Sequence, residues 1–507
     1  MAWEQIEATP PHITYLVLTS FLIAYCLFST FIRNRLHLSE PPIALLVGIA
    51  LGPRGLGWLT PSYRATNGPD WTDSPDGVGG WGWGDDVVQE AARVIVGIQV
   101  FCVGVELPKF YASRHYRSVL MLLGPVMTFG WLVCAAFVAI IFRTDIPTAM
   151  CVAACLTPTD PVLAASILSN SQFSTRVPTR IKNLLSCESG CNDGISFPFL
   201  YIGLTLLKQS TPGEALKEWF LLTILWQCVF GTFLGLTIGT CFNKILRFSD
   251  SRGYIDKPGL TVFYLLLAIL SVGFGSLLGS DDFLVAFGAG YGFARDGWFT
   301  KKTHGVQLPG IIDLMLNSAM FVYLGSIIPW YAFEPQGITP SITPPRLLAF
   351  LLLVLLFRRI PIVIATYHWI PDVRTWQEAL FCGHFGPMGL GGIFLAIEAR
   401  AVLETGTSLP LPHPKVHEKP YTAKEKATEI VWPLVCFIVL GSTLVHGLSV
   451  CVMSVTNHLL RPKDQRAPVL AAETDPLGGM VHEDSDVGSE IGDSEEEAEA
   501  ERGSVRL

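Results

Sequence analysis

The chain has 507 residues, 50% of them hydrophobic and only 15% charged, with a mean hydropathy of +0.44; this excludes a soluble globular domain and reads as a polytopic membrane protein. The formal charge of −8 is local, because from Asp464 onward there are 13 acidic and 3 basic residues against 30 and 32 in the rest of the chain. The 12 cysteines lie mostly in apolar runs without CxxC or Cys/His spacing, and no Walker or nucleophile-elbow sequence occurs, which speaks against a disulfide framework, a metal centre, a cofactor and an enzyme.

Windows of about 20 apolar residues place spans near 12–32, 41–59, 88–107, 117–142, 146–170, 181–207, 218–246, 259–279, 281–295, 309–331, 346–369, 378–398 and 428–456. The expected fold is therefore an all-α polytopic membrane protein of about 13 transmembrane helices, with residues 1–456 as one membrane domain and 457–507 as an acidic, disordered tail. Ser485, Ser489 and Ser494 in that tail stand in phosphorylatable acidic context, or simply in a solvated run. Basic clusters at Arg33/Arg35, Lys109/Arg114/Arg117, Arg176/Arg180/Lys182, Lys244–Lys257, Lys301/Lys302, Arg374 and Arg461/Lys463/Arg466 share one side. The N-terminus is then extracellular and the tail cytoplasmic.

The first span has no basic leader with a cleavage site and is expected to be a retained helix. The second, Pro42 to Pro53, carries Gly48 and Gly52 and reads as a packing helix. Trp71, Trp81 and Trp83 in the 60–87 loop read as interfacial anchors. The third span ends with Gly104 four residues before Pro108, and the tenth with Gly325 four residues before Pro329.

The fifth span holds Thr157-Pro158-Thr159-Asp160-Pro161. Two prolines break a helix where a charge sits, and a carboxylate at bilayer depth pairs, lines a cavity or carries ions. Asp160 followed by Pro161 also fits an N-cap with Pro at N1, which does not exclude a second role. The sixth span holds Glu188-Ser189-Gly190-Cys191-Asn192-Asp193. On a helix Ser189 and Asp193 share a face, whereas Glu188 and Asp193 point to different sides. Glu188 then meets a structural partner while Asp193 faces an ion cavity.

Asp281 and Asp282 open the ninth span, as electrostatic lures for cations or as ordinary helix-terminal acids. The eleventh span holds Arg358-Arg359-Ile360-Pro361, and either arginine is a partner for Glu188; Arg358 is favoured. The twelfth span is broken at His384-Phe385-Gly386-Pro387. His384 is a pH sensor or, more simply, a satisfied histidine beside a helix break. Glu398 and Arg400 read as separate interfacial charges.

A shift of seven spans pairs the third with the tenth and the fifth with the twelfth. An odd shift inverts the membrane sense, giving two inverted-topology six-helix repeats whose discontinuous helices, spans 5 and 12, cross at the midplane. There, unwound carbonyls and the oxygens of Thr157, Thr159, Ser189, Asn192, Asp160 and Asp193 suit a hard alkali cation. Burial favours the neutral form of a carboxylate, so protons and Na⁺ compete for Asp193 near neutral pH. A site that holds either one, reached alternately from each side, exchanges Na⁺ or Li⁺, with K⁺ a further candidate, for H⁺. A channel or uniporter using the same carboxylates, or a non-transporting sensor, is the alternative; the repeat of broken helices disfavours a channel.

At these residues the chain resembles the monovalent cation/proton antiporter superfamily, and within it the fungal plasma-membrane sodium (alkali cation)/proton antiporters. The carriers are Pro42–Pro53, Thr157-Pro158-Thr159-Asp160-Pro161, Glu188-Ser189-x-x-Asn192-Asp193, Asp281-Asp282-Phe283, Arg358-Arg359-x-Pro361 and Phe385-Gly386-Pro387-Met388-Gly389, across roughly 12–456. The resemblance implies a 13-helix fold, a core domain moving against a dimerisation domain, a homodimer in plasma-membrane lipid, cation export for salt tolerance, and no nucleic-acid partner. It implies that Asp193 binds the ion, that Asn192 supports it and that Glu188 pairs with an arginine. Proton stoichiometry stays open.

Overall fold

A computed structural model describes residues 10–32, 38–59, 84–161, 163–164, 177–209, 211–303, 308–333, 341–412, 415, 417 and 420–460. The tryptophans expected at the interface and the acidic tail from 461 onward lie outside them.

The described residues form helices and no strands. In chain order these are α1 (Pro10–Phe31), α2 (Glu40–Leu51), α3 (Asp85–Glu106), α4 (Tyr116–Phe142, with a π turn at Leu122–Val126 around Pro125), α5 (Ile146–Cys155), α6 (Thr179–Lys208) and α7 (Pro212–Ser251). There follow α8 (Lys257–Leu277), α9 (Asp282–Ala294), α10 (Leu308–Ser326), α11 (Pro344–Phe357), α12 (Ile360–Thr366), α13 (Trp376–His384), α14 (Leu390–Thr405) and α15 (Ala423–Leu460). Among them, seven helices are long and apolar enough to cross a membrane. Side-chain caps start several: Asp145 accepts from Thr148 N, Asp256 from Gly259 N and Thr375 from Glu378 N. Each such cap stabilises its helix by about 1 kcal/mol.

Small residues set the closest helix contacts. A methyl group added at Gly48 or Gly325 would collide with the facing backbone, so α2 and α10 touch main chain to main chain. Gly104 and Gly290 do the same between α3 and α9, and Gly235 and Gly239 between α7 and α9. As a result α9 is buried along its whole length.

Three helices are interrupted. α5 stops at Cys155, and helical geometry resumes only at Pro161. α13 stops at His384, and α14 begins at Leu390. Between α11 and α12 the backbone leaves helical geometry at Arg359, with φ −131°. Pro361 has no N–H for the Phe357 carbonyl four residues earlier, and its ring crowds that oxygen.

Candidate cation and proton site

The first two interruptions meet: Asp160 N–H donates to the Pro387 carbonyl at 2.8 Å. In an unbroken helix Asp160 N–H would serve Leu156 O, and Leu390 N–H would serve Gly386 O. Arg358 takes both carbonyls instead, donating to Leu156 O and Gly386 O. Asp160 takes the opposite ends. Its Oδ1 accepts from Leu163 N at 2.9 Å and its Oδ2 from Leu390 N at 3.3 Å. One guanidinium thus answers two helix C-termini and one carboxylate two N-termini.

α6 stitches itself to the unwound strand. Asn192 Oδ1 accepts from Thr159 N at 3.1 Å, and Asn192 Nδ2 donates to Thr159 Oγ1 at 2.7 Å. Ser189 Oγ lies 2.9 Å from Thr159 Oγ1, and Thr157 Oγ1 donates to Ser196 Oγ at 2.9 Å. Pro158 and Pro161 keep this strand from joining α5, and Gly386 and Pro387 do the same on the facing strand.

Asp193 follows Asn192 and is only 2% exposed. Among the described residues no donor hydrogen-bonds its carboxylate. The glycine-rich start of α14 packs directly on it, because a methyl group at Gly391 would strike Asp193 Oδ1; at Gly389 it would strike Asp160 Oδ2. On the other side, a methyl group at Gly194 would stand 3.0 Å from both oxygens of Asp281. Three carboxylates, of Asp160, Asp193 and Asp281, thus border glycine backbone at the start of α14 and beside Asp193.

Glu188 turns away from these carboxylates, and its partner is Arg359, not the favoured Arg358. The fork is bidentate, with Nη2 to Oε2 at 2.6 Å and Nη1 to Oε1. The break between α11 and α12 explains this: it swings Arg359 toward α6 and leaves Arg358 facing the two carbonyls. The pair borders a cavity of about 20 Å³ that Thr157, Asn192 and Arg358 also line.

Asp281 and Asp282 are no exposed lures, being 1% and 4% exposed. Asp281 Oδ1 caps α9 through Phe283 N and Leu284 N, both at 3.0 Å. Asp282 pairs with Arg93, at 2.7 Å, and accepts from Ser276 Oγ at 3.0 Å. Sequence reasoning missed Arg93, although an arginine inside an apolar span asks for a carboxylate just as Arg358 and Arg359 do. Glu398 and Arg400 are buried rather than interfacial. Glu398 accepts from Gln89 and Tyr201, each at 2.7 Å, while Arg400 pairs with Asp85 and lies 4.7 Å over the Trp432 ring. The half-buried His384 ring lies 3.3 Å from Ser449 Oγ.

Residues 17–455 match the family described as sodium/hydrogen exchanger, transmembrane. Na⁺/H⁺ antiporter 2 of Zygosaccharomyces rouxii is 41% identical over 464 residues, 90% of this chain and 55% of that protein. A Na⁺/H⁺ antiporter of Saccharomyces cerevisiae is 40% identical over 90% of this chain and 45% of its own length, so the chain spans about half of these relatives. One from Schizosaccharomyces pombe is 33% identical over 90% of this chain and 93% of its own. The solved sodium proton antiporter MjNhaP1 of Methanocaldococcus jannaschii shares the fold, with a TM-score of 0.62 at 16% identity over 86% of this chain and 98% of that one.

Proposed function

Because the chain belongs to the sodium/hydrogen exchanger family, we propose that it is a secondary active transporter that exchanges Na⁺ for H⁺ at Asp193. The observation that carries the reading is the Asp193 carboxylate itself: buried, without a protein donor among the described residues, and set against two interrupted helices. A carboxylate so placed binds either a proton or a small cation, and the two compete. Li⁺ and K⁺ are the further cargo of the same oxygen site. Asp160, Thr159, Ser189 and Asn192 hold the site in shape, with Thr157, Pro158, Pro161, Gly386 and Pro387 keeping the crossing unwound.

The same reading takes the chain as thirteen spans in two inverted six-helix repeats that work by alternating access, as a homodimer in the plasma membrane with its N-terminus outside. The role is export of alkali cations for salt tolerance and for pH and cation homeostasis. A relative named as an antiporter and covering 93% of its own length supports exchange over channel or uniporter activity and over a non-transporting sensor.

The test is flux in reconstituted vesicles. An imposed pH gradient is expected to drive radiolabelled Na⁺ uptake. Asp193→Asn abolishes uptake and leaves the folded yield unchanged. Normal exchange by that variant would falsify the site.

A further inference from the structure

The interruption between α13 and α14 also meets α15. In an unbroken helix Met388 N–H would donate to the His384 carbonyl, four residues back. Two side chains of α15, Ser442 and His446, one turn apart, stand between these groups. Met388 N–H donates to Ser442 Oγ at 2.9 Å. His446 Nε2 lies 2.9 Å from the His384 carbonyl, which also accepts from Gly386 N. His446 Nδ1 lies 3.2 Å from Ser442 Oγ and 2.8 Å from the Ser442 carbonyl. Both ring nitrogens face a carbonyl, Nε2 that of His384 and Nδ1 that of Ser442, and Nδ1 also lies beside the Ser442 hydroxyl, so the ring ties the His384 carbonyl to the turn of α15 that holds Met388 N–H. The contacts run from Met388 N–H, which donates to Ser442 Oγ, through the His446 ring to the His384 carbonyl.

We infer that Ser442 and His446 are positioning residues for the cation site, splicing side chains into the helical bond that is missing between His384 and Met388. The inference rests on the exchange reading above. Both side chains are buried, at 0% and 3% exposure, so the two backbone groups they satisfy have no ready replacement in water. The rotation of α15 is fixed nearby, since a methyl group at Gly447 would strike the Pro42 ring. Remove the splice, and Met388 N–H and His384 C=O are left to find each other. That draws residues 388–391 toward helix, lifting Leu390 N–H from Asp160 and Gly391 from Asp193.

The experiment uses the full chain in liposomes, with Ser442→Ala and His446→Leu set beside the conservative Ser442→Thr and His446→Gln. Ser442→Ala and His446→Leu are expected to raise the KM for Na⁺ about tenfold while kcat changes about twofold or less. Ser442→Thr, which keeps the hydroxyl, and His446→Gln, which keeps an N–H for His384 O, hold KM within about threefold of the parent chain. Amide hydrogen exchange of a peptide covering 384–390 speeds up about tenfold in Ser442→Ala, with α6 unchanged. Parental KM and amide protection in both truncating variants would overturn the inference. So would equal impairment of the conservative pair, which would mark plain packing. If the parent chain itself moves no Na⁺, the exchange reading fails, and the amide measurement still decides the splice.

Discussion

At the scale of single residues, several buried charges have fixed partners among the described residues, and Asp193 has none there. Glu188 and Arg359 form a bidentate pair between α6 and the α11–α12 break. Removing one member of such a pair strands the other in low dielectric, at about 3–5 kcal/mol. Glu188→Gln is therefore expected to lower the melting temperature in detergent markedly. Adding Arg359→Gln recovers much of the loss, whereas adding Arg358→Gln deepens it, because Arg358 serves the Leu156 and Gly386 carbonyls. The need of Glu188 for an arginine was legible in the sequence. Which arginine was not, because both lie in the break between Phe357 and Ile360, where helical spacing says nothing about side-chain direction.

At the scale of elements the decisive feature is glycine opposite carboxylate. Gly391→Ala puts a methyl group against Asp193 Oδ1, and a residue at the start of α14 has little room to retreat. Na⁺ uptake by that variant is expected to fall at least about tenfold in vesicles, with the folded yield preserved, because the clash falls on the carboxylate itself. Gly273→Ala on α8, which meets nothing within 4 Å, serves as the control and leaves uptake unchanged. The interruptions near 158 and 387 were legible from proline and glycine. Their contact was legible only through the seven-span shift. The ninth span is short and rich in glycine. Those glycines are the reason α9 lies between α3 and α7, buried on every side.

At the scale of the whole molecule every group of the site described above falls between Leu156 and His446, well before the acidic end. Deleting residues 464–507 is expected to leave the KM for Na⁺ within about twofold of the full chain, since the site is assembled from residues 156–446. The sidedness of basic residues and the length of the apolar runs made a polytopic architecture readable. The buried polar pairs Arg93–Asp282 and Gln89–Glu398 were not, because they join residues 189 and 309 positions apart and leave no local periodicity. Asp160 and Arg358 answer helix ends, and Glu188 and Arg359 answer each other, but among the described residues Asp193 has no countercharge. Its bare form keeps a full negative charge away from water, a penalty of several kcal/mol, and each 1.4 kcal/mol makes a state tenfold rarer. If exchange runs at Asp193 as proposed, a turnstile with that arm cannot swing empty. Under the exchange proposed above, inward and outward flow would stay in step through the solitude of one anion, with slippage suppressed without any further latch.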